Sequence, residues 1–97
     1  MIIETPYKDG DTVSFKLASG EEIVAKLDET KTDSYTLKKP MVLIMQQDGS
    51  MGLAPFMFSV NPDAKFNMLK STVSCVAKTE KEIANQYVAT TSGVVIN

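Results

Sequence analysis

The chain of 97 residues contains no histidine, no arginine and a single cysteine, Cys75, since all ten of its basic residues are lysine. Without histidine, a triad that uses imidazole as its general base is excluded. With one cysteine, no internal disulfide can form, and a zinc site would need carboxylates for most of its ligands. Phosphate-cradling glycine loops are missing as well. We therefore predict that the protein is not an enzyme and uses no metal, cofactor or small-molecule substrate.

Long apolar runs are also absent. The longest, Met41 to Met45 and Leu53 to Phe58, are far shorter than the roughly 20 residues of a membrane-spanning helix, and no signal-like segment opens the sequence. The net charge is −2 and the pI about 5.0, which is the wrong sign for a surface that attracts nucleic acid as a whole. We expect a soluble, cytoplasmic protein without a membrane partner, folded as one domain over residues 1–97.

The clearest pattern that is present is an alternation of apolar and polar residues from Val13 to Leu27. It is interrupted at Ser19-Gly20, where a glycine supplies the positive φ of a tight turn. A period of two places the apolar side chains on one face of each strand. The pattern predicts a β-hairpin with strands at about residues 12–18 and 21–29. Because an isolated hairpin is marginally stable, further strands must pair with it.

Four later segments are rich in strand formers: Tyr35 to Gln46, Met51 to Val60, Lys65 to Leu69 and Thr72 to Ala77. The third is either a short strand or a continuation of the second. Pro40 and Pro55 cannot donate to a ladder, which predicts a bulge or bend at both positions. The last connection is only Lys70-Ser71, an abrupt corner that favours a barrel. We predict a mainly β fold, a small, strongly bent, five-stranded antiparallel barrel over about residues 12–77, with Cys75 buried.

A helix is predicted after the barrel, at about residues 80–91. Thr79 and Glu82 have the spacing of a capping box, in which the two side chains bind the first free amides of a helix. Gly93 is placed to end the helix, and the apolar tail after it is expected to pair with something. One apolar stripe, expected to pack on the barrel or on a partner, contains Ile83, Ala84, Tyr87 and Val88.

The order of these segments resembles the Sm and Sm-like (LSm, Hfq) family over roughly Thr12 to Ala77. Compact phage-like or environmental members are similar in carrying a helix after the barrel. The residues that correspond to the first family motif are Gly20, Asp33, Ser34, Tyr35, Thr36 and Leu37, and Lys70-Ser71 stands where the family has arginine or lysine followed by glycine. The resemblance implies a Sm-like barrel that forms a homo-oligomeric ring and binds single-stranded RNA.

By the same resemblance, the RNA-binding residues are Asp33, Tyr35, Thr36 and Lys70. Tyr35 would stack on bases, and Lys70 would contribute a positive charge in place of the family's planar cation. Thr36 stands at the position of the family's base-reading asparagine, but a hydroxyl lacks the combined donor and acceptor of an amide. We therefore expect weak, salt-sensitive and sequence-tolerant binding of uridine- or adenine-rich RNA.

Two functions stay open. One is an RNA-binding Sm-like ring; the other is a structural or protein-interaction ring that has lost the RNA site, in which Tyr35 packs on its own sheet and Lys70 is solvated. The Lys38-Lys39 pair could follow a phosphate backbone, although neighbouring strand residues point to opposite faces. Convergence of Tyr35, Thr36 and Lys70 on a pore would favour the first function.

Overall fold

A computed structural model describes residues 7–92 and shows six strands followed by one helix. The strands are β1 (Thr12–Leu17), β2 (Glu22–Thr30), β3 (Ser34–Met45), β4 (Met51–Pro55), β5 (Lys65–Leu69) and β6 (Val73–Lys78), and the helix is α1 (Lys81–Thr91). A 3₁₀ turn, Lys70–Thr72, joins β5 to β6. The mainly β fold with a C-terminal helix is as predicted, whereas Gly93 and the tail after it lie outside the described residues.

The predicted β1–β2 hairpin is confirmed. The strands are antiparallel with Phe15 opposite Ile23, and Gly20 in the turn has a φ of +107°. Any residue with a Cβ would be strained at that φ, so the glycine is required by the turn. The apolar members of the alternation are all buried: Val13, Phe15, Leu17, Ile23, Ala25 and Leu27. They form the main core together with Tyr35, Leu37 and Met68.

The predicted closed, five-stranded barrel is wrong, because the sheet is open and has six strands. Its order is β4-β3-β2-β1-β6, and β5 pairs with β3. Strand β4 ends at Pro55, which has no N–H for the ladder. The chain leaves β3 there and returns to the same edge of β3 as β5, so Lys65 to Leu69 is a short strand of its own, the first of the two predicted alternatives. Strand β6 then pairs with β1, and the sheet keeps two separate edges.

Strand β3 is bulged at Lys39 and Pro40, as Pro40 predicted. Val24 is opposite Met41 and Lys26 is opposite Lys38, so β3 carries one more residue than β2 at this point. This is a β-bulge, which bends the strand that contains it. Lys39 has a φ of +49°, a left-handed conformation that non-glycine residues adopt at a cost of about 1–3 kcal/mol.

The helix packs on the sheet face opposite the main core. Tyr87 and Ile83 of α1 form a second, smaller cluster with Val24, Met41 and Leu53. The predicted stripe is therefore largely correct, although Val88, at its margin, is 53% exposed. The cluster fixes α1 over the part of the sheet where β3 is bent.

The predicted capping box is wrong. The helix begins after Glu80, which makes no side-chain cap hydrogen bond. Thr79 is still held to β1, because its N–H donates to the Thr12 carbonyl at 3.1 Å and its hydroxyl lies 2.8 Å from the Ser14 hydroxyl. The Thr79 hydroxyl, which the sequence pattern assigned to the helix start, thus contacts β1 instead.

Cys75 is exposed, so the prediction that it is buried is also wrong. Its neighbour Val76 and the earlier Val73 are the β6 residues that pack against the main core. Adjacent strand residues point to opposite faces, which places the Cys75 thiol in solvent. The apolar run around Cys75 does not reveal which face is covered.

Candidate functional site

The backbone brings the four predicted site residues to one corner of the sheet. At this corner the beginning of β3 pairs with the end of β5, with Ser34 opposite Leu69 and Tyr35 opposite Met68. The Lys70 N–H donates to the Asp33 carbonyl at 2.9 Å and closes the corner. The register therefore confirms that these residues are close along the backbone, although their side chains diverge.

Tyr35 lies inside the corner and is 6% exposed. Its ring centroid is 5.1 Å from that of Phe15, and the two ring planes are tilted by 56°. The Lys70 ammonium lies 5.2 Å from the Tyr35 centroid, within the range of a cation–π contact. Phe15 and Lys70 of the same chain therefore pack against the Tyr35 ring, on which an RNA base was expected to stack.

The hydroxyl of Tyr35 is held in an apolar environment. Burial raises its pKa to about 12, and the hydrogen bond with Tyr7, at 3.5 Å between the oxygens, acts in the same direction. The phenol is thus neutral at physiological pH and acts as part of the core. It offers no charge to a ligand.

Thr36 points to the opposite face of β3, since it follows Tyr35 in the strand. It is 5% exposed, and its hydroxyl donates to Oδ1 of Asn67 at 3.2 Å. Asn67 lies opposite Thr36 in β5 and is exposed. Besides the carbonyl oxygen that binds Thr36, the Asn67 amide has two N–H donors. This places an amide beside Thr36, the residue that the Sm-like resemblance aligns with an asparagine.

Asn67 was missed by the sequence analysis. The alternation in the segment of β5 does place Asn67 on the polar face, with Phe66 and Met68 on the core face. The pairing with Thr36 depends on the register between distant strands, which no local pattern specifies.

Neighbouring lysines are already paired. The Asp28 carboxylate lies 3.1 Å from the Lys65 ammonium and 3.4 Å from that of Lys38. The hydrogen bond with Lys65 is the main cause that lowers the pKa of Asp28, and the hydrogen bond with Lys38 lowers it further. Lys39 turns away and donates to the Thr91 carbonyl at 2.8 Å. The Lys38-Lys39 pair therefore does not form a continuous basic strip.

The two edges of the sheet expose apolar side chains. On the side of β4 and β5 these are Ile44, Met45, Met51, Met57, Phe58 and Leu69, of which Phe58 is 84% exposed. The other edge, formed by β6, exposes Cys75. Several exposed apolar side chains near an unpaired strand are typical of an interaction surface.

No model of a known protein family matches the chain, and a search among curated proteins found no match either. Between residues 7 and 92, no group of three or more metal-ligating side chains could hold a metal ion. The only helix of this part of the chain is too short to cross a membrane.

Proposed function

We propose that this protein is a self-assembling β module whose copies join edge to edge into a ring, of the kind that the Sm-like resemblance implies. The observation that carries the proposal is the open sheet. Over residues 7–92, one of its edges is formed by β4 and β5, end to end along β3, and the other by β6. The Sm-like assignment itself belongs to this proposal.

Pairing between these edges has a clear physical reason. An edge strand presents N–H and C=O groups that can pair with a strand of another chain. The edge of β4 and β5 differs from that of β6, so the contact between copies is heterologous and each copy keeps one edge of each kind available. Such contacts propagate until the rotation between subunits closes them into a ring. Exposed Met51 and Leu69 would be covered at this contact.

The single native thiol allows a direct test of the contact. In β5, Lys65, Asn67 and Leu69 share the outer face, and Cys75 is exposed on β6. One of these three positions should lie opposite Cys75 of the next copy. We expect the cysteine variant at that position to form intermolecular disulfides under mild oxidation; the variants to compare are Lys65→Cys, Asn67→Cys and Leu69→Cys. The rate should exceed that of a random encounter at least about tenfold, because neighbouring thiols react at a high effective concentration. Non-reducing electrophoresis would show a ladder that stops at the subunit number of the ring.

Val88→Cys is the matched control, because it adds an exposed thiol on α1, beside Thr12 and Lys26 of the inner strands β1 and β2. It should give only slow dimer formation, and adding Cys75→Ser to the reactive variant should abolish the ladder. Equal rates for Val88→Cys and all three β5 variants would contradict the proposed contact. So would a wild-type chain that sediments as a monomer at micromolar concentration.

RNA binding is the second candidate function, and the arrangement around Asn67 favours it. Asn67 and Lys70 belong to the same corner of the sheet, with the Asn67 amide on the outer face and the Lys70 ammonium over the Tyr35 ring. One such corner would bind a nucleotide weakly. A ring repeats the corner in every subunit, so a single-stranded tract could contact several corners in succession and gain affinity through multivalency.

The expected result is that Lys70→Ala weakens binding of uridine or adenine homopolymers. Removing a lysine that neutralises a phosphate also reduces the salt dependence, by about one unit of slope in each subunit that binds the RNA. Fluorescence anisotropy at two salt concentrations measures both effects. Lys31→Ala, at an exposed position in the β2–β3 turn, is the control, and Tyr35→Phe tests the hydroxyl without removing the buried ring. Binding that is absent at low salt, or indifferent to Lys70→Ala, would leave the structural ring as the better account.

A further inference from the structure

The bend in β3 lies where the outer edge of the sheet is interrupted. Strand β4 pairs with residues 41–45 of β3 and β5 pairs with residues 34–38, so Lys39 and Pro40 separate the two halves. The angle of β3 at these two residues therefore sets the angle between β4 and β5. Any neighbour that pairs along this edge must match that angle.

The hydroxyl of Tyr87 contacts both strands at the bend. It donates to the Lys39 carbonyl at 2.8 Å and to the Lys38 carbonyl at 3.0 Å, and it accepts from the Lys26 N–H at 3.1 Å. A phenol has one proton, which the two carbonyls share. A bulge interrupts the regular ladder, and at this bulge the helix supplies a hydrogen-bonding group to both strands.

A second contact ties the bend to the end of the helix. The Lys39 ammonium donates to the Thr91 carbonyl in the last turn of α1 at 2.8 Å, where a positive charge also complements the helix dipole. Thus the residue with the left-handed backbone is bound to α1 through its carbonyl and its side chain. Met41, the residue that follows the bulge, packs with Tyr87 in the smaller cluster.

We infer that α1 is a clamp that fixes the bend of β3 and thereby sets the angle of the β4–β5 edge and the number of subunits in the assembly. The effect on subunit number rests on the proposed function, whereas the clamp itself does not. Without the clamp, Lys39 is driven toward an ordinary backbone conformation, because the left-handed one is unfavourable for lysine. The two halves of the edge would then adopt a range of angles, and rings of different sizes would form.

Tyr87→Phe tests the clamp because it keeps the aromatic ring and removes the hydroxyl. Hydrogen exchange of the Lys26 amide should become about five- to tenfold faster, as expected for the loss of one hydrogen bond. Native mass spectrometry should show several subunit numbers in place of one. Adding Lys39→Gly should broaden this distribution further, since it also removes the contact with the Thr91 carbonyl and gives the backbone at the bend more freedom. Val88→Ala, at an exposed position of the same helix, should change neither measurement.

The two measurements separate the possible failures. An unchanged Lys26 exchange rate in Tyr87→Phe would overturn the clamp, whatever the state of assembly. If Lys26 exchange becomes faster but the subunit number does not change, α1 does not set the ring size. The same conclusion would follow if Lys39→Gly had no effect on the subunit number. A monomeric wild-type protein would overturn both the proposed function and the effect of α1 on ring size. The exchange rate of the Lys26 amide would then test the clamp by itself.

Discussion

Phe15→Ala is expected to lower the free energy of unfolding by about 3–5 kcal/mol, the usual loss when a buried phenylalanine is truncated. Phe15 is 0% exposed and lies in β1, between β2 and β6. Its ring contacts that of Tyr35, so the substitution leaves a cavity between strands that come from both ends of the sequence. Because small domains are stable by about 5–15 kcal/mol, the variant should be close to unfolding at 25 °C.

Urea unfolding followed by circular dichroism at one fixed chain concentration measures this loss. The control is Val88→Ala, which truncates an apolar side chain of α1 that is 53% exposed. Its effect should stay within about 0.5 kcal/mol, as for most surface substitutions. Similar losses for the two variants would contradict the assignment of Phe15 to the main core.

Alkaline pH is expected to destabilise the protein progressively as the pH rises from about 10 through 12, by a few kcal/mol in all. Burial raises the pKa values of Tyr35 and Tyr87 to about 12, above the value of 10.0 expected in the unfolded chain. Below pH 10, both tyrosines are neutral in both states and the stability is complete. Above pH 10, the unfolded chain loses these protons first, so unfolding becomes progressively favoured until the folded pKa is reached. Both tyrosines therefore contribute to the loss in the same direction.

The measurement is the urea midpoint at pH 9 and pH 12, with tyrosinate absorbance recorded in parallel. Tyr87→Phe removes one of the two groups and should reduce the pH-dependent part of the loss. Because both proteins contain the same lysines, the comparison isolates the phenol of Tyr87. Equal pH dependence in the two proteins would show that Tyr87 ionises as easily when folded as when unfolded.

The local elements of the fold could be predicted from sequence, because each is specified by neighbouring residues. The β1–β2 hairpin follows from the alternation around Gly20, and the bend follows from Pro40. That the sheet stays open could not be predicted in this way, because closure depends on whether two strands far apart in the sequence pair with each other. The capping box failed for the same reason, because Thr79 contacts Ser14, far away in sequence.

The candidate site shows the same limit. Sequence reasoning placed Tyr35 and Lys70 together, and the two side chains are in contact. It did not indicate that the Tyr35 ring faces the core, because an aromatic residue in a strand suits either face. Nor did it identify Asn67 or the hydrogen bonds of Tyr87, which depend on the strand register and on where α1 docks.

The pairing of β1 with β6 also has a consequence for the speed of folding. The first and last strands of the sheet are neighbours, so the chain from β2 to the 3₁₀ turn must form a closed loop before they can meet. Loop closure costs chain entropy before any contact between the ends compensates for it. The hairpins are local and can form within microseconds, whereas this non-local pairing is the slow step, as in other β domains with high contact order. During synthesis, β1 can pair with β6 only after nearly the whole domain has been made.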